Sequence, residues 1–203
     1  METKRTGFVV TATEPTPNPA AFKFNLNGKA AGSKSRAFNS AEDPAGDPFV
    51  EKLFDFGVVT AVLIHNRFVS VTLTSADEWE WCLDPILQCI QEDLVFYEDD
   101  VETAPPEEAS ILDQVDLSKF DELADVVKAE IIEVYMDDAI RPALAADGGG
   151  VVVHKVTGDL VSIRYQGACG SCGKSEAGTL SAIQSLLRKK LSPKLRVVVG
   201  REF

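Results

Sequence analysis

The sequence predicts an α+β chain, two small α/β-sandwich domains joined by an acidic linker, and three observations predict it. Its 203 residues suit two domains of about 100 residues each better than one. Strand-type alternation gives way to helical periodicity on both sides of the middle of the chain. Between them the tract "YEDDVETAPPEEAS" at 97–110 joins acids to two prolines with no basic residue, the composition of an extended, self-repelling linker. The expected organisation is a domain at 1–96, a linker at 97–116 and a second domain at 117–203 with element order α-β-β-α-β.

In the first domain "FVVTA" and "AFKFNLN" read as strands, the second placing Phe22, Phe24 and Leu26 on one face. "DPFVEKLFDF" predicts a short helix with Pro48 at its start. "GVVTAVLI" and "RFVSVTLT" predict a hairpin turning at His65 and Asn66, with apolar runs long enough for a covered sheet. Ser75 and Glu78 form a capping box ahead of "DEWEWCLDPILQCIQEDL", where Trp79, Leu83, Ile86 and Ile90 recur at helical spacing. In the second domain "KFDELADVVKAEIIEVYMDDAIRPAL" predicts one long amphipathic helix with Phe120, Leu123, Val127, Ile131 and Val134 on its apolar stripe, bent by Pro142 and stopped by Gly148 to Gly150. "VVVHKVT" and "LVSIRYQ", turning at Gly158 and Asp159, form a second hairpin; "SEAGTLSAIQSLLRKKL" is a closing helix and "KLRVVVG" a last strand.

Hydrophobic residues make up 45% of the chain and charged residues 26%, with no apolar run of the roughly 20 residues that span a bilayer, so no membrane partner is expected. The start "METKRTGFVVTATEPTPNPA" lacks a long apolar core and a cleavage pattern, and four cysteines are too few for a stapled secreted scaffold; the expected location is a reducing cytoplasm. Residues 1–110 hold 8 basic and 19 acidic residues, net −11, and residues 111–203 hold 12 and 13, net −1. A total of −12 repels phosphate backbones, so nucleic acid is not expected as a partner.

The chemistry gathers in "QGACGSCGKSEAGTL" at 166–180. Cys169 and Cys172 lie between a strand end and a helix start, beside unpaired N–H groups and the positive end of the helix dipole, all of which favour thiolate. Lys174 adds a positive charge, and Gly167, Ala168, Gly170, Ser171 and Gly173 let a bulky group approach the backbone. The C-x-x-C spacing serves a redox disulfide, half a zinc site or half an iron–sulfur site. A thioredoxin-type fold would need more strands than the short tail can supply, yet a thiol–disulfide oxidoreductase using Cys169 and Cys172 stands as the alternative. Zinc wants four protein ligands, and His154 reads as a strand residue, as His65 reads as a turn residue. Cys82 and Cys89, seven residues apart on one helix, stand about 10 Å apart along its axis and read as buried helix thiols. For a four-thiolate cluster the remaining supplier is a second copy of the Cys169/Cys172 pair, which implies a homodimer.

Residues 120–199 resemble the NifU-like C-terminal domain of Nfu-type iron–sulfur carriers, through "IRPALAADGGG", the hairpin and "GACGSCGKS". The first domain is similar to the Nfu N-terminal domain, through "TPNPAAFKF", the hairpin at 57–74 and "EWCLDPIL". The resemblance implies a non-enzymatic scaffold in which Cys169 and Cys172 of two chains bridge a [4Fe–4S] cluster, received from an upstream donor and passed to apo iron–sulfur proteins. Gly167, Gly170, Gly173 and Lys174 would then lie near the cluster. The chain departs from the family's usual pattern at Gly173-Lys174, where the family has Pro-Ser, and at Gly150, where it has an acid.

Overall fold

The computed structural model describes residues 7–32, 34–43, 46–98, 111–169 and 173–200. Two compact units result, one built on a five-stranded sheet and one on a three-stranded sheet, in agreement with the expected α+β class. Residues 99–110, most of the predicted linker, lie outside the described residues.

In the first unit β1 (Val10–Pro15), β2 (Ala21–Leu26), β3 (Arg36–Phe38), β4 (Val59–His65) and β5 (Phe68–Leu73) form an antiparallel sheet of order β1-β2-β5-β4-β3. The short edge strand β3 is not visible in the sequence, because three residues carry too little alternation to register. The β4–β5 turn falls on Asn66 and Arg67, one residue later than predicted, since His65 pairs with Phe68 and stacks on its ring at 4.6 Å. Helix α1 (Pro48–Phe54) is capped by Asp47, whose carboxylate accepts from the N–H groups of Phe49 and Val50. The predicted Ser75–Glu78 capping box is present on a single 3-10 turn that leads into α2 (Trp79–Asp93).

Both helices cover one face of the sheet, where Phe24, Leu53, Ile64, Val69, Val71, Ile86 and Ile90 form a dry core. The predicted face of β2 is the buried one, with Phe24 and Leu26 in the core and Phe22 against it. Trp79 closes this layer with its ring edge-on to Phe22 at 4.8 Å and its indole N–H donating to the Ala20 carbonyl at 3.0 Å.

The second unit opens with α3 (Ile111–Gln114) and a 3-10 segment, Leu117–Glu122, that carries the buried Phe120. The long helix predicted from residue 119 onward is instead three pieces: that segment, α4 (Asp125–Ala139) and α5 (Arg141–Ala146). The break at Ile140 (φ −110°) has a direct cause, because the Pro142 ring excludes the carbonyl of the preceding turn and supplies no N–H. The buried stripe of α4 is Lys128, Ile131, Ile132 and Met136, one step round from the predicted Val127 and Val134. Lys128 can be buried because its ammonium reaches the Gly158 carbonyl at 3.4 Å and sits 5.8 Å from the Phe120 ring centre.

Strands β6 (Gly149–Thr157) and β7 (Leu160–Gly167) meet at a turn where Gly158 takes φ +59° and Asp125 of α4 accepts its N–H. Helix α6 (Gly173–Lys190) then returns the chain to β8 (Arg196–Val199), parallel to β7, giving a sheet of order β6-β7-β8. Ile131, Ile132 and Met136 of α4, Ile183 and Leu187 of α6, and Val161 and Ile163 of β7 are buried as its core. The order α-β-β-α-β matches the sequence expectation, with the first helix divided.

Phe24→Ala should destabilise the first unit by about 3–5 kcal/mol through transfer loss and a cavity. Guanidinium titration followed by tryptophan fluorescence checks this, because both tryptophans, Trp79 and Trp81, lie in that unit.

Candidate functional site: a glycine-floored thiol

Strand β7 ends at Gly167 (φ +58°), and the chain turns there so that Cys169 stands just ahead of the N-terminus of α6. The Ala168 N–H donates to the Gly148 carbonyl at 3.3 Å, tying this turn to the one between α5 and β6. A Cβ on Gly167 would meet that carbonyl oxygen at 2.8 Å, so the close approach and the positive φ both require glycine.

The Cys169 thiol is half-buried and lies directly on the backbone of Gly149. A Cβ built on Gly149 would stand 2.2 Å from Cys169 Sγ, 3.0 Å from its Cβ and 3.1 Å from its N. Gly148 takes φ +73° to turn the chain from α5 into β6. In the run "GGG" at 148–150, therefore, the first glycine makes the turn and the second clears the thiol. Only the helix-stopping part of that was evident in sequence; a single glycine ends a helix, and the surplus glycine was the missed signal.

Of the other predicted site residues, Gly173 opens α6, while Gly170, Cys172 and the Lys174 side chain lie outside the described residues. Cys82 and Cys89 are buried in α2, as expected of helix thiols. Burial, with Glu78 nearby, raises the Cys82 pKa, and burial with Asp93 beside it pushes Cys89 up to about 12. His154 is an exposed residue of β6, and His65 belongs to β4 with its pKa lowered by burial and by Lys23. Among the described residues no three His, Cys, Asp or Glu side chains converge as a metal site.

The chemistry on offer is thus one accessible sulfur per described loop, held ahead of an 18-residue helix whose N-terminus favours anionic ligands, over a floor without side chains. A soft metal fits such a donor, and the missing side chain at Gly149 is what lets the sulfur lie against the backbone.

Comparison with known proteins defines the class first. A family model described as "NifU-like domain" matches residues 132–198, and one described as "Scaffold protein Nfu/NifU N terminal" matches residues 10–95. The chain belongs to the Nfu/NifU family of iron–sulfur cluster scaffolds. It is 45% identical over 75 residues to a nitrogen fixation protein NifU of Anabaena sp. (strain L31), covering 37% of this chain and 67% of that protein. The same identity over 75 residues links it to a NifU of a Nostoc species, of which it covers 25%. A Drosophila persimilis protein named "NFU1 iron-sulfur cluster scaffold homolog, mitochondrial" is 26% identical over 191 residues, covering 91% of this chain and 62% of that protein. The chain thus spans only a quarter of the Nostoc relative and about three fifths of the fly one.

Three outcomes are expected. Iodoacetamide at pH 8 should alkylate Cys169 and leave Cys82 and Cys89 unmodified in the folded chain, as read by peptide mass spectrometry. A raised pKa in the fold means that the buried Cys89 thiol favours the folded state fully below pH about 9 and loses that contribution as pH climbs toward about 12. The stability difference between the wild-type chain and Cys89→Ala should therefore shrink across that window. Gly149→Ala should displace the Cys169 side chain, read as an altered Cys169 alkylation rate in a chain with an unchanged circular dichroism spectrum.

Proposed function

We propose that the protein is a carrier that holds a [4Fe–4S] cluster as cargo between two copies of itself, each giving Cys169 and Cys172, and yields it to apo iron–sulfur proteins. The observation that carries this reading is the half-buried Cys169 thiol on the side-chain-free floor of Gly149, at the approach to α6. An iron–sulfur cluster takes four thiolates and carries net negative charge, so a helix N-terminus suits it and two chains complete it. Ligands divided between chains also make the cargo removable, because separating the copies halves its coordination. The other two cysteines do not compete, being buried thiols with raised pKa values. No group on the chain need perform bond chemistry; the thiolates bind, the glycines make room and the client supplies stronger ligands. Donor and clients would be proteins, nucleic acid and membrane would not be partners, and the sparse cysteines fit a reducing cytoplasm.

Anaerobic reconstitution with iron and sulfide tests this. The chain should gain broad absorption near about 400 nm, iron near two atoms per chain, and twice its mass in solution. Cys169→Ser or Cys172→Ser should abolish all three while the fold persists, and Cys82→Ala with Cys89→Ala should change none of them. A colourless monomer that instead reduces disulfides would favour the oxidoreductase. Residues 111–203 alone should fold and still take up the cluster, with circular dichroism as the check on that boundary.

A further inference from the structure

Strand β6 is an edge of its sheet among the described residues, so alternate residues along it turn their backbone groups away from β7. Two of these groups are taken by side chains. The Val151 carbonyl accepts from Arg141 Nε at 2.9 Å, and the Val153 N–H donates to Glu133 Oε1 at 3.3 Å. Arg141 also donates through Nη1 to Asp137 at 2.6 Å and through Nη2 to Glu133. One planar guanidinium therefore joins α4, the first residue of α5 and the start of β6, while Glu133 closes the loop by holding both Arg141 and the strand.

The pinned residue Val151 lies two residues beyond Gly149, whose backbone is in contact with Cys169. We propose that Arg141, oriented by Glu133 and Asp137, is a positioning residue for Cys169: its fork fixes the path of β6 at Val151 and thereby holds the Gly149 floor under the thiol. The inference deepens the carrier reading and rests on Cys169 being a ligand. A floor free to move would let the sulfur change rotamer and depth, and a cluster ligand that wanders releases its cargo. Lysine would not replace arginine, because its single ammonium cannot span the Val151 carbonyl and two carboxylates in one plane.

The test uses the full chain with Arg141→Gln, Arg141→Lys and Glu133→Gln, and Leu187→Ala as a control that weakens the same core from the far end of α6. In cluster-free protein the rate of Cys169 alkylation by iodoacetamide is read by peptide mass spectrometry, with thermal unfolding followed by circular dichroism as the monitor of stability. In reconstituted protein the rate of cluster loss to a chelator is read from absorbance. Arg141→Gln and Arg141→Lys should each change the alkylation rate several-fold and speed cluster loss about tenfold, the range seen when groups that orient metal ligands are removed. Glu133→Gln should move both in the same direction, and Leu187→Ala should leave Cys169 alkylation at the wild-type rate.

A folded Arg141→Gln chain with wild-type alkylation and wild-type cluster loss overturns the proposal. So does a Leu187→Ala chain that matches it, which would make the effect one of stability alone. If Arg141→Gln fails to fold, Glu133→Gln decides by the same criteria. Should the wild-type chain take up no cluster, the carrier reading falls while the alkylation series still tests the positioning of Cys169.

Discussion

The contact between the Cys169 side chain and the Gly149 backbone places demands on the chain on either side of it. For that floor to be bare, β6 must begin on a glycine; for β6 to begin there, the helix before it must end within a few residues. Pro142 supplies part of this by dividing the helical run into α4 and α5, so that α5 is short enough to finish at Ala146. Gly148 supplies the rest with its φ of +73°. Gly167 answers from the other side, turning β7 so that the Ala168 N–H reaches the Gly148 carbonyl. The two turns constrain each other through that one hydrogen bond, and the thiol stands where they meet.

A three-stranded sheet has two edges, and here helix side chains occupy backbone positions on both. Glu133 and Arg141 serve β6; on β8, Gln184 of α6 accepts the Val197 N–H at 3.1 Å, and Arg188 donates to the Leu195 carbonyl at 2.8 Å just before the strand. The helices therefore do more than bury apolar area. They occupy some of the outward backbone groups through which a small sheet could otherwise pair with another chain. For a protein whose proposed action needs two copies to associate through thiolates and then part, an edge that paired irreversibly would be a fault.

How much was legible in the sequence depended on the range of each signal. The β4–β5 hairpin, the capping box at Ser75 and Glu78, and the β6–β7 turn at Gly158 all express local rules; the last two appear where those rules put them, and the first turns one residue later. The single long helix is broken at two places its apolar spacing runs across: at Leu123, whose ψ of 153° is extended, and at Ile140 ahead of Pro142. The buried stripe on α4 is rotated from the predicted one because the Gly158 carbonyl and the Phe120 ring give the Lys128 ammonium a place inside. The candidacy of Cys169 could be read from its spacing and setting, whereas the Gly149 contact and the Arg141 fork could not. Their roles exist only once residues far apart in sequence are brought together.

The thiols of the chain show how environment assigns chemistry to a residue type. Cys89 lies in a dry helix face next to Asp93, where ionising would place an anion away from water and beside another anion, and its pKa rises to about 12. Cys169 is half-buried, ahead of a helix N-terminus and against the Gly149 backbone. The first environment suits a sulfur used as a small hydrophobe and the second a sulfur used as a ligand. A deep, fully enclosed thiolate site would bind a metal group more tightly, but it would also hinder departure. In the proposed carrier the Gly149 backbone would set the direction of the half-buried sulfur without enclosing it fully.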